Sequence, residues 1–188
     1  MADYRAISTV CEAIIRQLRA TYRPELINNQ RLEFKVCLTP ELISRSRTIR
    51  AGVTLFLYEV RQDAARRNVP PRRTDEGRLE PPALQLELRF LLTAWAREAH
   101  TQQAIAGWMM RLMEDNPLLP ATVLNNVTPA SFQPDETVQI VLDELGSLDV
   151  LKVWEKSVRS PYQLSIPYIA RNIAIETLQP AQGRNDPG

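Results

Sequence analysis

Residues 84–120 read LQLELRFLLTAWAREAHTQQAIAGWMMRLMEDNPLLP, and this stretch decides the fold class. Leu84, Leu86, Leu88, Phe90 and Leu92 recur at every second position, which predicts a strand with one wholly apolar face. Ile105, Trp108, Met109, Leu112 and Met113 then follow at helical spacing, so the strand leads almost directly into an amphipathic helix. Asn116, Pro117 and Pro120 stop that helix. A change of period from two to 3.6 within one stretch calls for a sheet with helices packed on it. The polar residues do not converge on a catalytic set. The segment reads as scaffold.

Working outward, Ile7, Val10, Cys11, Ile14, Ile15, Leu18 and Tyr22 mark another helical stripe, with Asp3 placed to cap it and Pro24 to end it. Leu32, Phe34, Val36 and Leu38 alternate as a first strand. The run AGVTLFLYEV at 51–60 is apolar on both sides, which predicts a central strand or one covered on both faces. Residues 61–82 are rich in Arg, Pro and Asp and too long for a hairpin turn; they read as a disordered flap or as an arm that orders on binding. Val138, Ile140 and Leu142 give a short strand, and Ser147 caps a short helix with Leu148, Leu151 and Trp154.

The last strand, 162–177, changes phase. Leu164, Ile166 and Tyr168 share one parity and Ile173 and Ile175 the other, which predicts a bulge near Ala170 to Asn172. Pro167 lacks a ladder donor and so places this strand on an edge or at the bulge. The expected architecture is a single α+β domain over 1–178, with a mainly antiparallel sheet of about five strands and about three packing helices. A flexible tail is expected over 179–188.

Composition excludes several classes. The chain has 188 residues, 44% hydrophobic and 24% charged, with a net charge of +1, so no global field draws it to nucleic acid or to an anionic membrane. Arg far outnumbers Lys. Enrichment of Arg at protein contacts is one reading and codon bias the other. The start MADYRAISTV has no basic segment followed by an apolar one, and no apolar run is long enough to span a bilayer, so synthesis and folding in the cytoplasm are expected. Cys11 and Cys37 have no CxxC or His-rich surroundings and read as reduced thiols.

Chemistry is scarce. His100 is the sole histidine, and HTQQA is not a metalloprotease motif. The acid pairs Glu114–Asp115, Asp135–Glu136 and Asp143–Glu144 lie next to element ends, where caps and solvated side chains are ordinary; two of them converging would be the basis of a small acid-pair enzyme. No glycine-rich phosphate loop and no serine elbow occur, and no cofactor or metal is expected. Two basic groups remain, Arg45, Arg47 and Arg50, then Arg61, Arg66, Arg67, Arg72 and Arg73. They lack the interleaved aromatic residues that stack on bases, so no nucleic-acid partner is expected; solvated loop charge or docking on an acidic protein surface fits them. Met110 is out of phase with its helix stripe and is a candidate partner contact, while Met109 and Met113 belong to the core. An adaptor acting through the Arg-rich loop is the alternative function.

YRAISTVCEAIIRQLR, LRFLLTAWA followed by IAGWMMRLMEDNPLLP, PDETVQIVLDEL, VWEKS and YQLSIPYIAR occur in this order between about Tyr4 and Glu176. Together they resemble the cap, or tail-terminator, family of phage-tail-like contractile injection systems of the antifeeding-prophage type. The resemblance implies a terminator-like fold and a non-enzymatic structural subunit in a homo-oligomeric, six-membered ring. It implies that the ring closes the baseplate-distal end of the inner tube and contractile sheath and stops their growth, with tube and sheath proteins as partners and no membrane insertion. The protein would then end up in the injection particle. A head-to-tail ring needs two different patches. The Pro-containing strand, with Gln163, Ser165, Pro167 and Arg171, is the candidate for one of them, its free backbone accepting a strand from a neighbour or from a sheath arm.

Overall fold

In the computed structural model the described residues are 2–38, 50–63, 72–73, 79–158 and 161–178, with backbone alone at 72–73, 79–80, 147 and 157–158. The order is α1 (Ala6–Thr21), a 3-10 turn (Pro24–Ile27), β1 (Glu33–Val36), β2 (Gly52–Gln62), β3 (Arg72–Arg73), β4 (Leu79–Glu80), β5 (Leu84–Trp95) and α2 (Ala99–Asp115), then β6 (Leu118–Pro120), α3 (Ala121–Asn125), β7 (Thr137–Leu142), α4 (Ser147–Val158) and β8 (Ser165–Ile175). Six strands form one sheet in the order β1-β2-β5-β8-β7-β6, and among the described residues β3 and β4 form a separate two-stranded pair. All pairs in the main sheet are antiparallel except β1 with β2. The fold is α+β as expected, with one more strand in the sheet and one more helix.

The apolar parity of the strands makes the main core. Val53, Leu55, Leu88, Phe90, Leu92, Val138, Ile140, Ile166 and Tyr168 are buried together with Val10, Ile14 and Leu18 of α1 and Ile105, Met109 and Met113 of α2. Both predicted stripes therefore face this side of the sheet. The opposite side holds a smaller cluster, in which Phe56, Leu91 and Trp95 meet Val150 and Trp154 of α4. Strand β2 is thus covered on both faces near its start, as its sequence requires.

Local chemistry fixes the ends and turns. Arg5 precedes α1 without a side-chain cap; Asp3 instead accepts the Arg5 N–H at 2.8 Å and pairs with its guanidinium. Gly52 lies opposite Glu33, where a Cβ would run into the Glu33 carbonyl oxygen, so the parallel pairing there admits only glycine.

The final strand corrects one expectation. β8 is interior, between β5 and β7, not at an edge. The bulge does fall where the phase change put it, with a register shift opposite Leu86 to Leu88 and Asn172 at φ 65. Asn tolerates this left-handed backbone better than most residues. Pro167 is accommodated because its carbonyl accepts from Asp143 N at 2.9 Å, just past the last β7 residue, Leu142. In an antiparallel strand the missing N–H points the same way, toward a neighbour that has already ended. Beyond the bulge, Ala2 covers β8, donating to Ala174 O and accepting from Glu176 N.

Candidate docking interface

Among the described residues the edges of the sheet are β1 and β6. Glu33 donates to Ala51, just before β2, and Cys37 to Leu55 of β2, so the alternate residues Phe34 and Val36 turn their backbone groups outward. Arg19 of α1 reaches over and donates to Phe34 O at 2.6 Å. On β6, Pro117 O accepts from Ile140 and Ala121 N donates to Glu136, which turns Leu118 and Pro120 outward. Pro120 brings no donor. Both edges carry the kind of protection that discourages strand addition.

The sheet face shared with α4 is different. Beyond the helix it displays the off-parity residues of β2, β5 and β8. Glu59 lies opposite Arg89 and Arg61 opposite Glu87 in the β2–β5 register, and Arg171 lies opposite Gln139 in the β7–β8 register. Arg61 Nε is 2.7 Å from Glu59, Arg171 Nε 3.1 Å from Glu87, and Arg89 Nε 3.8 Å from Glu59. Arg89 Nη1 donates to Asp143 Oδ2 at 2.6 Å, and Tyr58 Oη donates to the same oxygen at 3.2 Å. Three guanidinium groups meet three carboxylates, so these six charges cancel. Arg61 and Arg171 are the open members, with side chains 56% and 45% exposed, while the Asp143 side chain is only 6% exposed.

Electrostatics follow from this arrangement. Burial, then the Asp143 charge, pushes the Tyr58 phenol well above its ordinary pKa, so it stays a donor. A phosphate polyanion needs uncompensated cations, whereas these arginines already have carboxylate partners. A protein surface with its own alternating charges can exchange pairs with this one. The face therefore has the alternating charge that suits another protein surface held in a fixed register.

Of the described residues suggested by the sequence, Arg171 joins this face, and so does Arg61, which was expected in the loop and instead lies near the end of β2. Ser165 is buried, its hydroxyl 2.9 Å from that of Thr93, and Pro167 is half-buried opposite Leu91. Gln163 accepts from Gln102 Nε2 at 2.8 Å. Met110 is 37% exposed on α2. Arg50 lines a polar groove of about 280 Å³ with Gln30, Arg97, Glu98 and Thr101. Arg72 and Arg73 form β3, and Arg45, Arg47, Arg66 and Arg67 lie outside the described residues. Glu59, Glu87, Arg89 and Asp143 were missed. The signal for three of them was the other parity of the same strands: Glu59 ends the apolar run of β2, and Glu87 and Arg89 alternate with the leucines of β5.

The acid pairs do not build a catalytic centre. Glu114 and Asp115 end α2, where Asp115 pairs with Arg111; Glu136 accepts from Gln133 N in a turn; Asp143 is held as above. Contrary to expectation, Asp143 is not solvated. A second groove of about 360 Å³, between α1 and the end of β1, is apolar and lined by Tyr4, Ile7, Cys11, Val36, Cys37 and Leu38. Among the described residues no cluster of His, Cys, Asp and Glu is arranged to hold a metal ion, and no helix is long and apolar enough to cross a membrane.

A family model for the Pvc16 N-terminal domain matches residues 9–185. The chain belongs to the Pvc16 N-terminal domain family. Two solved structures share the fold of this family member. One is the sheath/tube terminator, in the extended state, of PVC, an extracellular contractile injection system (TM-score 0.61, 19% identity, covering 92% of this chain and 57% of that one). The other is the tube-terminating cap of the anti-feeding prophage (TM-score 0.62, 15% identity, covering 92% and 56%). The chain thus spans little more than half the length of either terminator. No curated protein matches it in sequence.

Proposed function

We propose that this protein is a non-enzymatic terminator subunit that closes the baseplate-distal end of the inner tube and contractile sheath of a contractile injection particle and stops their growth. The reading is carried by one observation: nearly the whole described fold matches a protein whose own role is sheath/tube termination. Membership of the Pvc16 N-terminal domain family over residues 9–185 supports it. In this reading copies assemble in the bacterial cytoplasm into a closed six-membered ring and bind tube and sheath proteins.

The mechanism is steric and adhesive. A terminator must bind one filament end tightly and offer no further growth site. With Phe34 O occupied by Arg19 and Pro120 facing outward, neither sheet edge is suited to receive an incoming strand. Docking therefore falls to side chains, and the Glu59, Arg61, Glu87 and Arg171 face is the candidate surface, with Met110 on α2 as a second. Exchange of ion pairs across that face fixes register more than it adds affinity.

The test is to delete the gene from the producing cell and inspect the particles by electron microscopy. Tubes of unregulated length, restored to uniform length by the intact gene, are expected. Particles of normal, uniform length without the protein would refute the assignment.

A further inference from the structure

We propose that α4 is a lid that opens as one unit from an otherwise intact sheet, and that the contact of Asp143 with Arg89 and Tyr58 is its latch. The inference stands apart from the terminator reading. First, α4 has its own small cluster. Its Val150 and Trp154 pack on Phe56, Leu91 and Trp95, while α1, α2 and the rest of the apolar residues share the core on the other side of the sheet. Lifting α4 removes none of those core contacts. A segment with few buried apolar residues is the kind that opens locally, at a free energy below that of global unfolding.

Second, only part of the helix's apolar surface is covered by the sheet. Leu148 and Leu151 remain 70% and 38% exposed, so much of its apolar surface stays in water even when it is docked. What draws it down is chiefly Trp154, whose ring centroid lies 6.0 Å from that of Trp95 and 5.7 Å from that of Tyr162.

Third, the latch sits at the hinge. Asp143 follows the last residue of β7 and precedes the turn in which Gly146 O accepts from Asp149 N and Val150 N to start α4. Its carboxylate is gripped by Arg89 from β5 and Tyr58 from the β2 irregularity, two strands that are not its own neighbours in sequence. Arg89 Nε is buried and makes no hydrogen bond, with Glu59 no nearer than 3.8 Å, so the short contact of the guanidinium is the one to Asp143 at 2.6 Å. A buried charge that loses its partner is strongly destabilised, which makes this contact cooperative: it is whole or it is broken. Opening would uncover Phe56, Leu91 and Trp95 beside the charged face.

Native-state hydrogen exchange of the full chain, read by mass spectrometry in low denaturant, tests this. Amides of α4 are expected to exchange through a local opening, faster than those of α1 and of the centre of β5. Asp143→Ala is expected to speed α4 exchange by about 10- to 100-fold and to leave α1 within about twofold. Tyr58→Phe is expected to give a smaller change of the same pattern. Equal protection of α4, α1 and β5 in the wild-type protein would overturn the proposal, as would a variant that speeds all three alike. If Asp143→Ala does not fold, the wild-type exchange pattern and Tyr58→Phe decide the matter.

Discussion

Arg19, on α1, donates from its guanidinium to the main-chain oxygen of Phe34 at 2.6 Å, so a helix side chain occupies an acceptor on the outward edge of β1. This contact changes how the molecule is expected to meet its partners. An edge with free acceptors invites strand addition, while one capped by a cation discourages it.

Arg19→Ala should therefore do two things. Loss of a hydrogen bond from a charged group should lower stability by about 1–3 kcal/mol. The bared edge should also promote self-association that grows with concentration. Light scattering during gel filtration reads the second effect. A variant that is destabilised yet strictly monomeric at all concentrations would mean that Arg19 stabilises without guarding the edge.

Arg171→Glu tests the docking face. Arg171 is half exposed while Glu87 is 20% exposed, so loss of the pair and the added like charge should cost the fold about 1–2 kcal/mol. Binding to tube or sheath protein should fall much further, because a like charge placed in an interface opposes it. Thermal melting and co-sedimentation with assembled tubes separate the two. Undiminished co-sedimentation would move the interface elsewhere, to the Met110 side of α2.

Three of the four helices were plain in the sequence; short α3 and the strand partners were not. Stripes such as Ile14–Leu18 and Ile105–Met109 depend only on nearest turns, so period alone places them. Pairing is a long-range choice. Pro167 is an edge signal in most sheets, yet here β8 lies inside, because β7 stops one residue short of the point where a donor would be needed. The parallel β1–β2 pair was likewise invisible until Gly52 was seen against Glu33. The docking face was half legible. Its arginines and acids occupy the off-parity positions of recognisable strands, but the meeting of Arg89 with Asp143 depends on the register of strands brought together only by the fold. Residue type alone, which favoured the clustered arginines in the loops, could not weigh that.

Ile166→Asp should abolish or severely weaken folding. Ile166 belongs to the main core and is 8% exposed, and a carboxylate there has no partner to offset its desolvation. Circular dichroism of the purified variant is sufficient. A well-folded variant would mean that β8 does not present this face inward.

Alkaline pH should weaken the protein in a defined window. Burial, with a smaller effect of Glu12, pushes the Cys11 thiol from 9.0 up to about 12, and burial, with a smaller effect of Glu114, pushes the Tyr168 phenol from 10.0 up to about 12. Both groups keep their protons longer in the folded chain than in the unfolded one. Their contribution is therefore complete below pH 9 and is lost as pH rises toward 12, by on the order of 1 kcal/mol per pH unit for each group. Urea melts at pH 8, 9.5 and 10.5 should show this fall, and Cys11→Ala should flatten its first part. A stability that is level across the range would contradict the burial of both groups.

The most direct test of the terminator reading is electron microscopy of inner-tube protein polymerised with and without this protein. Tubes closed at one end by a ring, and unable to grow from that end, are the predicted result. Tubes that keep two open ends and the same length distribution at saturating concentrations of the protein would contradict it.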